Sequence, residues 1–360
     1  MKKLLTLLAG SSLAFYMQAC SDSSSADDDN PANSPATVYT FTSDYKTGEL
    51  RWVDDDAISK KSLEFNQDSK IIGIDGNLFV LERFGADNLA LVDVSENKVK
   101  WQVDLDDASN PSDVVKASKD EVWVALEGAA KLIKVAVKDG KVKKTVKTKA
   151  FNQGKATTPN LVDLEVSGDT LFALFQRSEN YSYPAPGLLA LYKLNNGDLL
   201  DTIKLAKKNP TAMGFAKGKL YVASMGEYNA NYGTDADANR GIEVVDLSKK
   251  KTSVVVDGKK IGAGVYAFAV DSKEGIAYAA AYKGYGDAPL MKVDLSKKTA
   301  EKISGVSDVE GSIFVDDVTG VLYIGDRGSK GGLYIYKDGK AEKVDAPKDM
   351  LPVYGIAVVR

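Results

Sequence analysis

Six tyrosines set among asparagine, serine and glycine form the part of this 360-residue sequence best suited to holding a ligand. They fall in three consecutive loops. Residues 177–186 carry Tyr181 and Tyr183 with Asn180, residues 226–240 carry Tyr228 and Tyr232 with Asn229 and Asn231, and residues 282–287 carry Tyr282 and Tyr285. A phenol offers a flat apolar ring with a polar tip, and an amide side chain offers adaptable hydrogen bonds. The mixture suits a sugar ring or a protein surface, and these residues are assigned as ligand-binding. The competing reading is a set of loops that pack only on one another.

Other chemistry is limited by what the chain lacks. It has no histidine, which removes Ser-His-Asp and Cys-His catalysis and imidazole metal sites. Its one cysteine, Cys20, allows no intrachain disulfide. Asp235, Asp237 and Asn239 place oxygen atoms at alternate positions, as a calcium loop begins, but Arg240 stands where glycine should follow. A solvated loop is the preferred reading there, so no metal, no cofactor and no catalytic residue is assigned. Asp163 and Glu310 open strands and can face a channel mouth, where solvation is the default. The net charge of −3 gives no drive toward nucleic acid or an anionic surface.

The loops need elements to carry them. From Val38 onward short runs rich in Val, Ile, Leu, Tyr and Ala alternate with Gly, Asp, Asn and Lys, the pattern of many short strands. The runs recur in groups of four at a period within the propeller range. KIIGIDG, NLFVLERF, NLALVDVS and KVKWQVDL make one such group, and TAMGFAKG, KLYVASMG, GIEVVDLS and TSVVVDG another. The stretch after Val38 holds only the last three strands of a unit, and residues 351–360 hold only the first. Together they complete one blade. The expected fold is all-β, a seven-bladed β-propeller of four-stranded antiparallel blades over 38–360, closed by the C-terminal strand. Gly73, Gly214, Ala267, Gly311 and Gly355 occupy equivalent innermost positions, where the axis is crowded. Pro111, Pro159, Pro210 and Pro352 stand at the turns into those strands. Asp54, Asp93, Asp246 and Asp294 close the third strands, where a carboxylate can bond the turn backbone. Trp52, Trp101 and Trp123 read as packing residues. The lysine runs at 249–251 and 297–298 read as solvated turns that protect strand edges.

The first residues read as a secretory signal: Lys2 and Lys3, an apolar stretch to Met17, then Met17-Gln18-Ala19-Cys20. This last segment resembles the lipobox of bacterial lipoproteins, which implies cleavage after residue 19 and lipidation of Cys20. Residues 20–37, rich in Ser, Asp, Asn and Pro, then read as a flexible tether. Within the repeats, Asn209-Pro210, Leu220-Tyr221-Val222-Ala223 and Val245-Asp246-Leu247 resemble the Pro-led first strand, "lyva" second strand and "vDl" third strand of YVTN-type surface propellers. The two resemblances imply a lipid-anchored protein of the bacterial cell envelope, at the outer membrane. Its propeller would bind a polysaccharide or an envelope or surface protein. Two alternatives stay open, a calcium-dependent lactonase-like hydrolase and a structural subunit of an envelope complex. Phosphogluconolactonase-like propellers are expected to use a histidine, which is absent here.

Overall fold

The computed structural model describes residues 36–310, 312–328 and 331–360. The signal, Cys20, most of the tether and Gly311 lie outside the described residues. The rest folds as expected: seven antiparallel sheets stand as blades in a ring. Blade two is Ser69–Ile74, Asn77–Glu82, Asn88–Asp93 and Lys98–Asp104, from the axis outward. Blade three is Pro111–Lys116, Glu121–Leu126, Lys131–Ala136 and Val142–Lys147. Blade four is Leu161–Ser167, Thr170–Phe175, Leu188–Lys193 and Leu199–Lys204. Blade five is Pro210–Ala216, Lys219–Ser224, Gly241–Asp246 and Lys251–Asp257. Blade six is Gly264–Asp271, Ile276–Tyr282, Leu290–Asp294 and Thr299–Lys302, and blade seven is Ile313–Val315, Leu322–Asp326, Gly332–Lys337 and Lys340–Lys343.

Blade one joins the two ends of the chain. Its inner strand, Val353–Val359, pairs with Thr37–Ser43, which pairs with Gly48–Asp54. Two short pieces, Ala57–Ile58 and Leu63–Phe65, share the outer position, where the sequence pattern gives one strand. The Ile58 N–H also donates to the Asp345 carbonyl at 2.7 Å, so the outer edge of blade one is tied to blade seven.

The second strands are apolar on both faces because each blade packs against two neighbours. Glu121–Leu126, EVWVAL, is buried from Val122 onward. The core is therefore divided into clusters between blades. Phe79, Leu81 and Leu91 meet Val124, Leu126 and Val135 across one interface, and Val38, Ile356 and Val358 meet Leu333 and Val344 across the closing one. Each large side chain buried there contributes roughly 1.5–3 kcal/mol. Polar bonds cross the same interfaces. The Trp101 and Trp123 indole N–H groups donate to the Val137 and Leu194 carbonyls of the following blades at 2.9 and 2.8 Å, and the Tyr39 hydroxyl donates to Asn97 Oδ1 at 2.9 Å. Outer strands such as VKKTVK in blade three are exposed and lysine-rich, which blunts their open edges.

Two expected details hold for stated reasons. A Cβ on Gly73 would lie 2.3 Å from the Val358 carbonyl oxygen, so at that point the inner strands of blades one and two can approach only because the residue is glycine. Asp93, Asp246 and Asp294 each accept N–H or hydroxyl bonds from the turn that follows, and these bonds hold their carboxyls below the ordinary range. Asp54 makes no such bond among the described residues, because a different turn follows it.

Ring closure ends on an ion pair. Arg360 Nη1 and Nη2 donate to the two oxygens of Asp316 in blade seven at 2.8 and 2.5 Å, with the Asp316 side chain only 3% exposed. Burial pushes that carboxyl up, but hydrogen bonds from Arg360, Thr319 and the Val318 N–H outweigh it and leave it below the ordinary range. A depressed carboxylate adds stability above the unfolded value of about 4 and loses it as pH falls through the lower folded value. Arg360→Ala is expected to cost about 2–3 kcal/mol at pH 7 in urea unfolding, and the gap from wild type should shrink below about pH 4. A gap that stays constant down to pH 3 would remove the ion pair from the account of closure.

Candidate functional site

Several inner strands carry one extra residue near their start. The pairing shifts there place Tyr354, Ser112, Val162 and Thr211 as the unpaired residues of blades one, three, four and five, and either Tyr266 or Ala267 as that of blade six. A bulge breaks the two-residue alternation and re-aims its side chain. All of these residues line a cavity of about 540 Å³ at the head of the central channel. The volume lies within the range of small-molecule sites.

Phe84, Tyr183, Tyr228, Tyr266 and Tyr354 line the cavity, and further rings back them. Tyr183 lies 6.5 Å from Tyr228, Tyr228 lies 6.5 Å from Tyr282, and Tyr282 lies 5.3 Å from Tyr266, ring centre to ring centre. On the far side Tyr354 meets Tyr45 edge-on at 5.5 Å. The Arg327 guanidinium sits 5.0 Å from the Tyr45 ring, 5.1 Å from Tyr354 and 5.9 Å from Tyr285, and its Nη1 donates to Glu310 at 3.1 Å. Phe84 completes the mouth from blade two. It is 64% exposed with a φ of 38°, a left-handed backbone that costs a bulky residue free energy. Burial pushes the Tyr228 hydroxyl up to about 12 and raises those of Tyr183, Tyr266, Tyr282 and Tyr354 as well. All of them are neutral hydroxyls at physiological pH.

The floor is charged. Lys70 Nζ donates to the Ser112 carbonyl at 3.0 Å. Asp113 accepts the Leu164 N–H at 2.7 Å and Asp163 accepts the Met213 N–H at 2.6 Å, each carboxyl bonding the inner strand of the next blade. Burial raises both, and for Asp163 the neighbouring Asp113 and Glu165 add to it. Neighbouring buried carboxyls resist ionising together, so the charge on one favours a proton on the other. Burial lowers Lys70, Arg83 lowers it further, and Asp113, Glu127 and Asp163 oppose this. Arg83 is committed to Glu127 at 2.9 Å, with Asp68 at 3.9 Å. Below the cavity, burial followed by the Asp113 charge pushes Glu165 up to about 8.

The structure divides the tyrosines chosen from sequence. Tyr183, Tyr228 and Tyr282 join the arc, and Tyr285 reaches Arg327. Tyr181 and Tyr232, 96% and 80% exposed, make no ring contact among the described residues. The asparagines serve their own loops. Asn229 Oδ1 accepts the Asn231 and Gly233 N–H groups while its Nδ2 donates to Asp235 at 3.0 Å, and Asn180 is exposed at a tight turn closed by Glu179 and Ser182. The loops of blades five and six interlock. The Thr234 hydroxyl donates to the Tyr282 carbonyl and accepts the Gly264 N–H, and a Cβ on Gly233 would collide with the Lys283 carbonyl. Asp237 is taken by Arg240 at 3.0 Å, and among the described residues no three acidic side chains converge as a metal cage. Asp163 does face the channel, whereas Glu310 is paired with Arg327. Sequence reasoning missed Tyr45, Phe84, Tyr266, Tyr354, Arg327, Lys70 and Asp113. The Pro-Ser-Asp and Leu-Val-Asp starts of blades three and four were the one available signal for the floor.

No protein-family model and no curated protein matches this sequence. Solved structures do. A candidate 6-phosphogluconolactonase from Bacteroides fragilis is similar at a TM-score of 0.59 and 12% identity, over 92% of this chain and 100% of that one. AztD from Citrobacter koseri, in its apo form, gives 0.55 and 10%, over 90% and 98%. A Bacteroides caccae protein of unknown function gives 0.51 and 12%, over 91% and 100%. At these identities the likeness shows the propeller fold alone.

The raised Glu165 carboxyl makes a stability prediction. Its folded state binds a proton that the unfolded state has released between about pH 4.3 and 8, so stability falls as pH rises through that window. Glu165→Gln should therefore stabilise the protein at pH 8.5, on the order of 2 kcal/mol because the half-buried carboxyl keeps part of its hydration. The difference should vanish by pH 4.5, read as melting temperature in both buffers. Equal gains at both pH values would mean that Glu165 titrates alike in the folded and the unfolded chain.

Proposed function

We propose that this chain is a lipid-anchored envelope protein whose propeller binds a polysaccharide at the aromatic-walled cavity. The observation that carries the reading is the set of tyrosines lining the head of the channel, Tyr183, Tyr228, Tyr266 and Tyr354, with Tyr282 packed behind Tyr228 and Tyr266. Sugar rings stack on such surfaces, and their hydroxyls match the mixed donors and acceptors of Lys70, Asp113 and Asp163. A concave site of this size suits a chain end better than the flat epitope of a folded partner. The lipobox resemblance at Cys20 supports the anchor, and the YVTN-type strand motifs fit a surface propeller. The candidate lactonase shares a fold, and a fold carries no activity across.

The chain's direction supports the geometry of presentation. Thr37 pairs with Val359, at the end of the ring opposite Tyr45 and Tyr354. A tether arriving at Thr37 attaches beneath the propeller, so the cavity would open away from an outer-membrane surface.

Two experiments test the reading. Cys20→Ser should move the protein from the membrane fraction to the soluble one, and an unmodified Cys20 in intact-mass measurement would end the anchor argument. On a glycan array with a parallel envelope-protein pull-down, Tyr228→Ala and Phe84→Ala should each weaken glycan binding by about 1–2 kcal/mol without a change in melting temperature. Capture of an envelope protein with a blank array would replace the polysaccharide by a protein ligand. Profiles identical to wild type on both assays would sink the cavity as the site.

A further inference from the structure

The charge balance inside the cavity narrows the ligand class. The walls are tyrosine and phenylalanine rings, whose faces attract cations. The protein uses this attraction beside the same cavity, where Arg327 lies within 6 Å of Tyr45, Tyr285 and Tyr354. The floor is short of positive charge. Arg83 is matched by Glu127 and Asp68, which leaves Lys70 alone to face both Asp113 and Asp163. Each carboxyl of the pair opposes ionisation of the other, so the deficit favours a proton on the pair. Both aspartates are half-buried and line the cavity.

From the ringed cavity and this deficit together, we propose that the cavity seats a primary ammonium group, as carried by an amino sugar or a small amine. The ammonium takes the place of that proton, and its carbon skeleton lies against Phe84, Tyr228 and Tyr266. Binding is then an exchange: one R–NH₃⁺ enters and one H⁺ leaves the Asp113–Asp163 pair for solvent, with no covalent change. The inference rests on reading this cavity as a ligand site, and it specifies the group that the floor recognises. It also sets a pH dependence. The groups facing the ammonium are Asp113, Asp163 and Lys70 from the inner strands and Arg83, Glu127 and Asp68 from the rim, with Glu165 below. Acidification from pH 7 returns a proton to the aspartate pair and should weaken binding. The tyrosine hydroxyls stay neutral across the range.

The test uses isosteric pairs on the full propeller by isothermal titration: ethanolamine against ethylene glycol, and glucosamine against glucose, at pH 7 and 5.5. The amine of each pair should bind at least tenfold more tightly at pH 7, and several-fold less tightly at pH 5.5. Titration in two buffers of different ionisation enthalpy should show proton release on amine binding. Asp163→Asn, which keeps an acceptor for the Met213 N–H, should abolish the preference. If that variant does not fold, the proton release of the wild type decides by itself. Equal affinity within both pairs, or binding without proton release, would overturn the ammonium seat. A glycan array that stays positive in that case would leave the polysaccharide reading standing. Amine binding with a blank array would support the seat and remove the polysaccharide.

Discussion

The antiparallel register between Val353–Val359 and Thr37–Ser43 is the constraint on which the molecule depends. Its core is a set of interfaces between blades, so the blades at the seam bury both faces only when the ring closes. A one-residue slip in this register would turn Val358 and Ile356 away from Leu333 and would turn Ala357 away from Leu78. The closing contacts lie at both ends of the seam. Arg360 grips Asp316 at one face, and Tyr354 and Tyr45 lean on Arg327 at the other. Closure and the cavity mouth are thus made partly by the same strand.

The inner-strand bulges link the fold to the site. Strands converging on an axis leave little room, and an extra residue lets each one bend while its side chain turns into the channel. The bulge also disturbs the ladder, and neighbouring blades compensate. Ser112 donates to the Leu161 carbonyl, Thr211 donates to the Val265 carbonyl, and Asp113 and Asp163 accept N–H groups from the next strand. The carboxyls in the channel therefore brace the ring as well as charging the cavity. Their burial beside one another raises both carboxyls, and each disfavours ionisation of the other.

Rigidity at the rim follows from interlocked loops. Thr234 fastens the blade-five loop to blade six, and Arg177 fastens the blade-four loop to Gln153 and the Phe151 carbonyl. Rings held by such bonds lose little side-chain freedom when a ligand arrives, which favours affinity from stacking.

Much of this could be read from residues in order. The seven groups of strands, the split blade, the glycines at the crowded axis and the turn aspartates all follow from local pattern, because strand alternation and turn chemistry act over two to four residues. The loops around Tyr183, Tyr228 and Tyr282 were also legible, as long insertions with unusual composition. Which of their rings converge was not. Tyr181 and Tyr183 are two residues apart with the same neighbours, yet one is almost fully exposed and the other buried beside Tyr228. Tyr266 and Tyr354 looked like ordinary strand residues, because the bulges near them are defined only against the partner strand. Lys70, Asp113 and Asp163 come from three blades, and nothing in their spacing along the chain says that they meet. Their meeting is decided by how the blades pack around the axis, a matter of long-range contact that no local pattern encodes.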